Sequence, residues 1–244
     1  MRTIRIYTNQ SLTTGEILTL EPTASRHLVS VLRLKTGDTI TLFNGQGGEF
    51  LCTLKQCNPK EVTAKIHSFE NISRESPLRI HLGIGISRGD KMDWIIQKAT
   101  EAGVTEITPL FTERTEVKLK GERAEKKVRH WRQVTASACE QCYRNQLPTL
   151  HSPAPLNQWL KDTQAEKKLV LHHRSQQTLS ELSHQNTTSV ALLIGPEGGL
   201  SPQEIELAEA AQFSSLSIGP RVLRTETAPI VAIGILQSIW GDYL

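Results

Sequence analysis

Hydrophobic and polar positions change rhythm partway along the chain. Over residues 1–72 the apolar residues fall in short alternating or β-branched runs, at 39–43, 49–54 and 61–66. Turn-forming clusters separate them: Thr36-Gly37-Asp38, the glycine-rich stretch 44–48, and Asn58-Pro59-Lys60. A period of two marks half-buried strands, and closely spaced short strands predict a small all-β barrel. One short helix is expected near residues 24–32, and residues 73–77 read as a polar connector. From Leu78 strands alternate with helices. Strands are expected at 79–86, 106–111, 168–172, 189–194 and 214–218. Between them, 91–102 forms a helix with Met92, Ile95, Ile96 and Ala99 on one face, 122–143 a long helix, and 230–240 a largely apolar one. Apolar strands alternating with helices predict a mainly parallel sheet covered on both faces. The expected division is therefore 1–72 all-β, 73–77 linker, and 78–244 α/β.

The last fifty or so residues hold the most specific pattern. An apolar strand runs into Gly195-Pro196-Glu197-Gly198-Gly199-Leu200, and Ser201, Pro202 and Glu204 then spell a helix start with a capping box. A second strand runs into Ile218-Gly219-Pro220, followed by Arg221-Val222-Leu223-Arg224-Thr225-Glu226-Thr227-Ala228 and the apolar helix. Thr225 or Thr227 is expected to cap that helix. Strand ends that turn through glycine into a helix are where α/β proteins bind ligands. Two such loops in tandem, the second carrying Arg224 and Glu226, suggest one composite site. Neither matches the dinucleotide fingerprint or the phosphate-binding loop with its lysine. The pattern suits a ligand without a polyphosphate.

Charge and composition narrow the class. The 244 residues are 38% hydrophobic and carry a net charge of +3, which excludes a disordered chain. No apolar run is long enough to span a bilayer, and the start lacks a signal-peptide pattern, so a cytoplasmic protein is expected. Charge is uneven: residues 1–75 carry +2, 76–150 carry +4 and 151–244 carry −3. Between Lys118 and Arg132 lie seven basic and two acidic residues, either a solvated helix face or a footprint for nucleic-acid phosphates. Cys52, Cys57, Cys139 and Cys142 read as reduced thiols, since Cys139-x-x-Cys142 falls inside a helix and Cys52-x4-Cys57 is a poor half of a zinc site. No metal is expected.

Residues 192–201 together with 218–228 resemble the RsmE family of 16S ribosomal RNA uridine methyltransferases, in the SPOUT superfamily. So do Arg5-Ile6-Tyr7, the stretches 27–33, 87–92, 96–103 and 109–114, and 139–145. The resemblance implies a PUA-like RNA-binding barrel followed by an α/β domain with a trefoil knot. It also implies S-adenosylmethionine as cofactor, a homodimer, and methylation of N3 of one uridine in the small-subunit RNA, as naked 16S rRNA or in the 30S particle. Carried over by position, Leu171 and His172 would line the cofactor cavity with Ile194, Gly195, Pro196, Glu197 and Gly198. Ile218, Gly219, Val222 and Leu223 would join them, followed by Arg224, Thr225, Thr227 and Ala228.

Uridine N3 carries a proton at neutral pH, so the site should remove it or stabilise the resulting anion. Glu226 is the first candidate for the base, with Arg224 at the uracil oxygens; water could take the proton instead. Candidates for RNA contact are Arg5, Arg26 and Arg33, then Arg88 and Lys91, then Arg114, Lys118, Lys120, Arg123 and Arg144. Two other readings compete. In one the chain binds RNA without catalysis and the glycine loops are vestigial. In the other the loops hold a different nucleotide-like ligand.

Overall fold

The computed structural model describes residues 4–172, 175 and 186–243. Its contacts divide the chain into two units, Met1–Glu75 with Cys139–Leu147, and Ser76–Ala138 with Pro148–Leu244. The first boundary falls within the connector read at 73–77. The return of residues 139–147 to the first unit was not anticipated.

The first unit is built on β1 (Arg5–Tyr7), β2 (Ile17–Thr19), β3 (Thr39–Phe43), β4 (Glu49–Asn58) and β5 (Glu61–Glu70). They pair in the order β1-β3-β4-β5-β2, with β1 parallel to β3 and the other pairs antiparallel. Alternate residues face one core: Ile40 and Leu42, then Cys52 and Leu54, then Val62, Ala64 and Ile66, closed by Leu28. Two register shifts between β4 and β5 bend the pair. Among the described residues the strand path has two ends, β1 and β2, so the pairing is an open five-stranded sheet. The expected short helix is α1 (Pro22–Arg26), continued by a π turn over His27–Val31. Its Ser25 Oγ accepts from Val62 N–H at 3.1 Å and donates to the Leu20 carbonyl at 3.2 Å, which ties it to β5.

Residues 139–147 complete this unit around Arg5. The Arg5 guanidinium donates to Asn145 Oδ1 at 2.6 Å and to the Arg144 carbonyl at 3.1 Å, and pairs with Glu49. It also lies over the Phe43 and Tyr143 rings. Burial pushes the Glu49 carboxyl up, but hydrogen bonds from Arg5 and Asn145 outweigh it and hold it below the usual carboxylate range. Arg144 in turn pairs with Glu75 at 2.6 Å. Two of the thiols here, Cys52 and Cys139, are buried. Burial pushes Cys52 up to about 12, and the Cys142 hydrogen bond together with burial pushes Cys139 up.

The second unit is an α/β layer structure. Its strands are β6 (Arg79–Gly85), β7 (Glu106–Phe111), β8 (Thr149–Leu150), β9 (Ala154–Pro155), β10 (Lys167–Leu171), β11 (Ser189–Ile194) and β12 (Ser214–Leu216). The order is β12-β10-β11-β6-β7-β8, with β9 also on β7, and every pair is parallel. Its helices are α2 (Lys91–Glu101), α3 (Gly121–Cys142, whose last residues belong to the first unit), α4 (Leu156–Asp162), α5 (Pro202–Ala210) and α6 (Thr227–Trp240). Strand β11 shows why the sequence reads as a continuous apolar run. Val190, Leu192 and Ile194 pack in one core with Met92, Ile96, Ile233 and Leu236, while Ala191 and Leu193 pack in another with Trp159, Ile205 and Phe213. No helix of the described residues is long and apolar enough to cross a membrane.

At the amino ends of the central strands, His81, Glu106 and His151 form a group whose ligand-type atoms lie within 4.8 Å of one another. His81 Nε2 lies 3.1 Å from the Trp159 indole N–H and 2.8 Å from Thr108 Oγ1. Burial pushes the His81 imidazole down to about 4, against the opposing pull of Glu106. Glu106 is held by His151 at 2.9 Å and flanked by Arg79 at 3.4 Å. Between pH 4 and 6.5 the unfolded chain binds a proton that folded His81 refuses, so stability rises with pH across that window and is fully present above it. Glu106, held low, acts in the same direction. The His81 contribution, read as wild type minus His81→Gln in urea unfolding, is expected to be about 2 kcal/mol smaller at pH 5 than at pH 7.5. An equal pH dependence in wild type and variant would contradict this account.

Candidate active site

The sheet order places the carboxyl ends of β6, β11, β10 and β12 side by side, and both glycine loops leave from this edge. The first loop turns tightly, with Gly199 N–H donating to the Pro196 carbonyl at 2.8 Å and Gly199 at φ +67°. It also lies close against the neighbouring strand. A Cβ on Gly85, at the end of β6, would sit 2.4 Å from Pro196 N. A Cβ on Gly195 would sit 2.8 Å from the Gly199 and Leu200 backbone. Basic residues brace the loop from outside. The Glu197 carboxylate accepts from the Arg88 N–H at 3.1 Å and pairs with Lys91 at 3.3 Å, and Arg114 Nη1 donates to the Gly198 carbonyl at 2.7 Å. Burial raises the Glu197 carboxyl, but these bonds outweigh it and leave it below its ordinary value. The loop ends in the capping box read from sequence: Glu204 N–H donates to Ser201 Oγ, and Ser201 N–H donates to Glu204 Oε2 at 2.9 Å. The second Glu204 oxygen accepts from Glu113 N–H at 2.8 Å.

The second loop begins where β12 meets β10, with His172 N–H donating to the Leu216 carbonyl at 2.9 Å. Gly219 takes φ +121°, a backbone open to glycine. The cap of α6 differs from the sequence expectation. Its N-cap residue is Glu226, not Thr225 or Thr227, and no side chain caps it. Glu226 stays in the right-handed region at φ −74° and ψ −27°, and the Arg224 carbonyl takes both the Thr227 and Ala228 N–H groups at 2.9 Å. Glu226 Oε2 is buried without a hydrogen-bond partner.

The structure brings together most of the residues expected around a ligand. Leu171, Ile218 and Leu223 pack against the cluster that contains Ile194 and Ala228. Gly195 and Pro196 are buried, Thr225 and Thr227 half-buried, and Glu197, Gly198 and Gly219 exposed. Val222 stands apart at 75% exposed, and Arg224 is also exposed. Two surface clefts, of about 460 and about 500 Å³, are not lined by these loops. The edge carries the exposed guanidiniums of Arg221 and Arg224, the Glu197 carboxylate tied to Lys91, and one partnerless carboxylate oxygen on Glu226. That donor set fits a ligand with an apolar heteroaromatic ring and a cationic centre.

The expected RNA contacts divide three ways. Arg5 and Arg144 are each 5% exposed, and their guanidiniums pair inside the first unit with Glu49 and Glu75. Lys91 and Arg114 hold the first glycine loop. Arg26, Arg33, Lys118, Lys120 and Arg123 are exposed, as is Arg88, which pairs with Glu116. Sequence reasoning missed the brace on the first loop and the role of Gly85. Partners more than eighty positions apart leave no local signal.

Residues 74–237 match the family described as RNA methyltransferase domain, and residues 20–66 match RNA methyltransferase PUA domain. Fold and site thus define an RNA methyltransferase with a PUA domain. A ribosomal RNA small subunit methyltransferase E from Buchnera aphidicola is 38% identical over 239 residues, covering 98% of this chain and 97% of its own. A methyltransferase from Legionella pneumophila, solved in complex with the bound cofactor SAM, is 44% identical with a TM-score of 0.96, covering 99% of this chain and all of its own. A ribosomal RNA small subunit methyltransferase E from Neisseria gonorrhoeae, bound to S-adenosyl methionine, is 35% identical with a TM-score of 0.92 over the whole of both chains. The chain belongs to the ribosomal RNA small subunit methyltransferase E family, RsmE.

Proposed function

We propose that the chain transfers a methyl group from S-adenosylmethionine to N3 of a uridine in 16S rRNA. The observation that carries this reading is the near-complete likeness to two relatives solved with that cofactor. The main-chain edges of residues 194–198 and 218–219, with Leu171, His172 and 222–228, hold the cofactor. Ile194, Ile218 and Leu223 supply the apolar wall for its ring. When bound, S-adenosylmethionine supplies an electrophilic methyl group on a sulfonium. Glu226 Oε2, partnerless beside the second loop, takes the N3 proton, and Arg224 stabilises the charge that develops on the uracil oxygens.

Further parts of the reading rest on the same basis. The chain leaves edge strand β12 and returns as α6 to α2, where Gln237 Nε2 donates to the Ala102 carbonyl at 3.1 Å. A trefoil knot through the two glycine loops belongs to the same reading, as the likeness to the family implies. A homodimer is inferred, with exposed Val222 and Val231 offering apolar surface near the second loop. The substrate is naked 16S rRNA or the 30S subunit in the cytoplasm, met by the PUA domain and by Arg26, Arg33, Arg88, Lys118, Lys120 and Arg123.

Titration calorimetry should show binding of S-adenosylmethionine and none of ATP. Nucleoside mass spectrometry of 16S rRNA from cells lacking the protein should show loss of one N3-methyluridine. No heat with the methyl donor, or an unchanged nucleoside profile, would reject the proposal.

A further inference from the structure

A cleft of about 500 Å³ lies between the turn after β6 and the start of α3. Its buried lining is apolar, with Met92, Leu119 and Trp131 each 5% exposed or less. One polar group interrupts that lining. Ser87 is 4% exposed, and its Oγ is buried without any hydrogen-bond partner. Buried hydroxyls are nearly always paired, so an orphan in a cleft wall marks a place where a ligand atom completes the bond. The rim is basic. Arg88, Lys118 and Arg123 are exposed, and Lys127 lies half-exposed near the Trp131 ring. Two carboxylates offset part of this charge: Glu116 pairs with Arg88, and Asp93 lies 4.0 Å from Lys127 Nζ. The cleft is also tied to the first glycine loop, because the residue after Ser87 donates its N–H to Glu197.

We propose that this cleft binds a single unpaired nucleotide of the RNA substrate. Its phosphate lies on the cationic rim and a polar edge of its base bonds the Ser87 hydroxyl. The volume suits a ligand of that size, and the mix of apolar wall, one polar anchor and cationic rim matches a phosphorylated heteroaromatic. The proposal rests on the reading of the chain as an RNA methyltransferase.

Fluorescence anisotropy of a labelled single-stranded, uridine-containing oligonucleotide, titrated with the full chain, tests it. Ser87→Ala should weaken binding about fivefold or more, with an unchanged or raised thermal midpoint because an unpaired hydroxyl is removed. The exposed double variant Lys118→Gln with Arg123→Gln should lower the slope of log affinity against log salt by about 1.4. Wild-type affinity in Ser87→Ala overturns the placement of the base, and an unchanged slope overturns the rim. Free uridine monophosphate should compete only weakly; competition equal to the oligonucleotide's would assign the cleft to a free nucleotide and overturn it as well. S-adenosylmethionine titration runs separately. A wild-type chain that does not bind that donor defeats the methyltransferase reading and the proposal resting on it, whereas donor binding with wild-type oligonucleotide affinity in Ser87→Ala defeats the cleft alone.

Discussion

Glu226→Gln should slow single-turnover methylation of unmodified 30S subunits by about 10²–10⁴-fold while S-adenosylmethionine affinity changes by only a few-fold. The amide keeps an acceptor oxygen of the same shape but cannot take the N3 proton. The structure separates this from a loss of folding. Glu226 is half-buried and its Oε2 has no donor, so the amide gives up no hydrogen bond at that oxygen and the thermal midpoint should stay close to that of wild type. A slow variant that is as stable as wild type therefore places the loss in the chemical step. Near-normal single-turnover rates would remove Glu226 as base and leave the proton to water, with alignment of the two reactants supplying the acceleration.

The features legible in the sequence are those whose causes are local. The run 189–194 could be read as a buried strand because both faces of β11 meet helices, and Ser201 with Glu204 could be read as a cap because a capping box closes over three residues. The paired glycine loops were visible for the same reason: each is a strand end, a turn and a helix start in succession. Arg5 shows where this stops. Its partner Asn145 lies 140 positions away, and nothing near residue 5 distinguishes an arginine that will be buried from one that will face RNA. The return of 139–147 to the first unit hides in the same way, since the helix that carries it reads as one element of the α/β region. The α6 cap was misjudged because threonine preference is a statistical pull, whereas the Arg224 carbonyl already satisfies the first turn.

Gly85→Ala tests a site residue that neither its own segment nor the loop sequence reveals. Strand β6 cannot yield, because Ile84 pairs with Ile194 on one side and Gly85 with Leu110 on the other. A methyl group 2.4 Å from Pro196 N must therefore move the loop. S-adenosylmethionine affinity is expected to fall by at least about 10²-fold, and stability by about 1–3 kcal/mol, the usual cost of forcing a group into packed space. Gly234→Ala is the matched comparison. It lies in α6 with nothing within 4 Å of a new Cβ, so the same chemical change should stabilise the helix by about 0.5–1 kcal/mol and leave cofactor affinity intact. Opposite signs from one substitution type would show that close approach of Pro196 to the end of β6, and not glycine's flexibility, shapes the cofactor edge. Wild-type affinity in Gly85→Ala would mean that the first loop can shift without consequence, and the cofactor contacts would then have to come from the second loop and β10 alone.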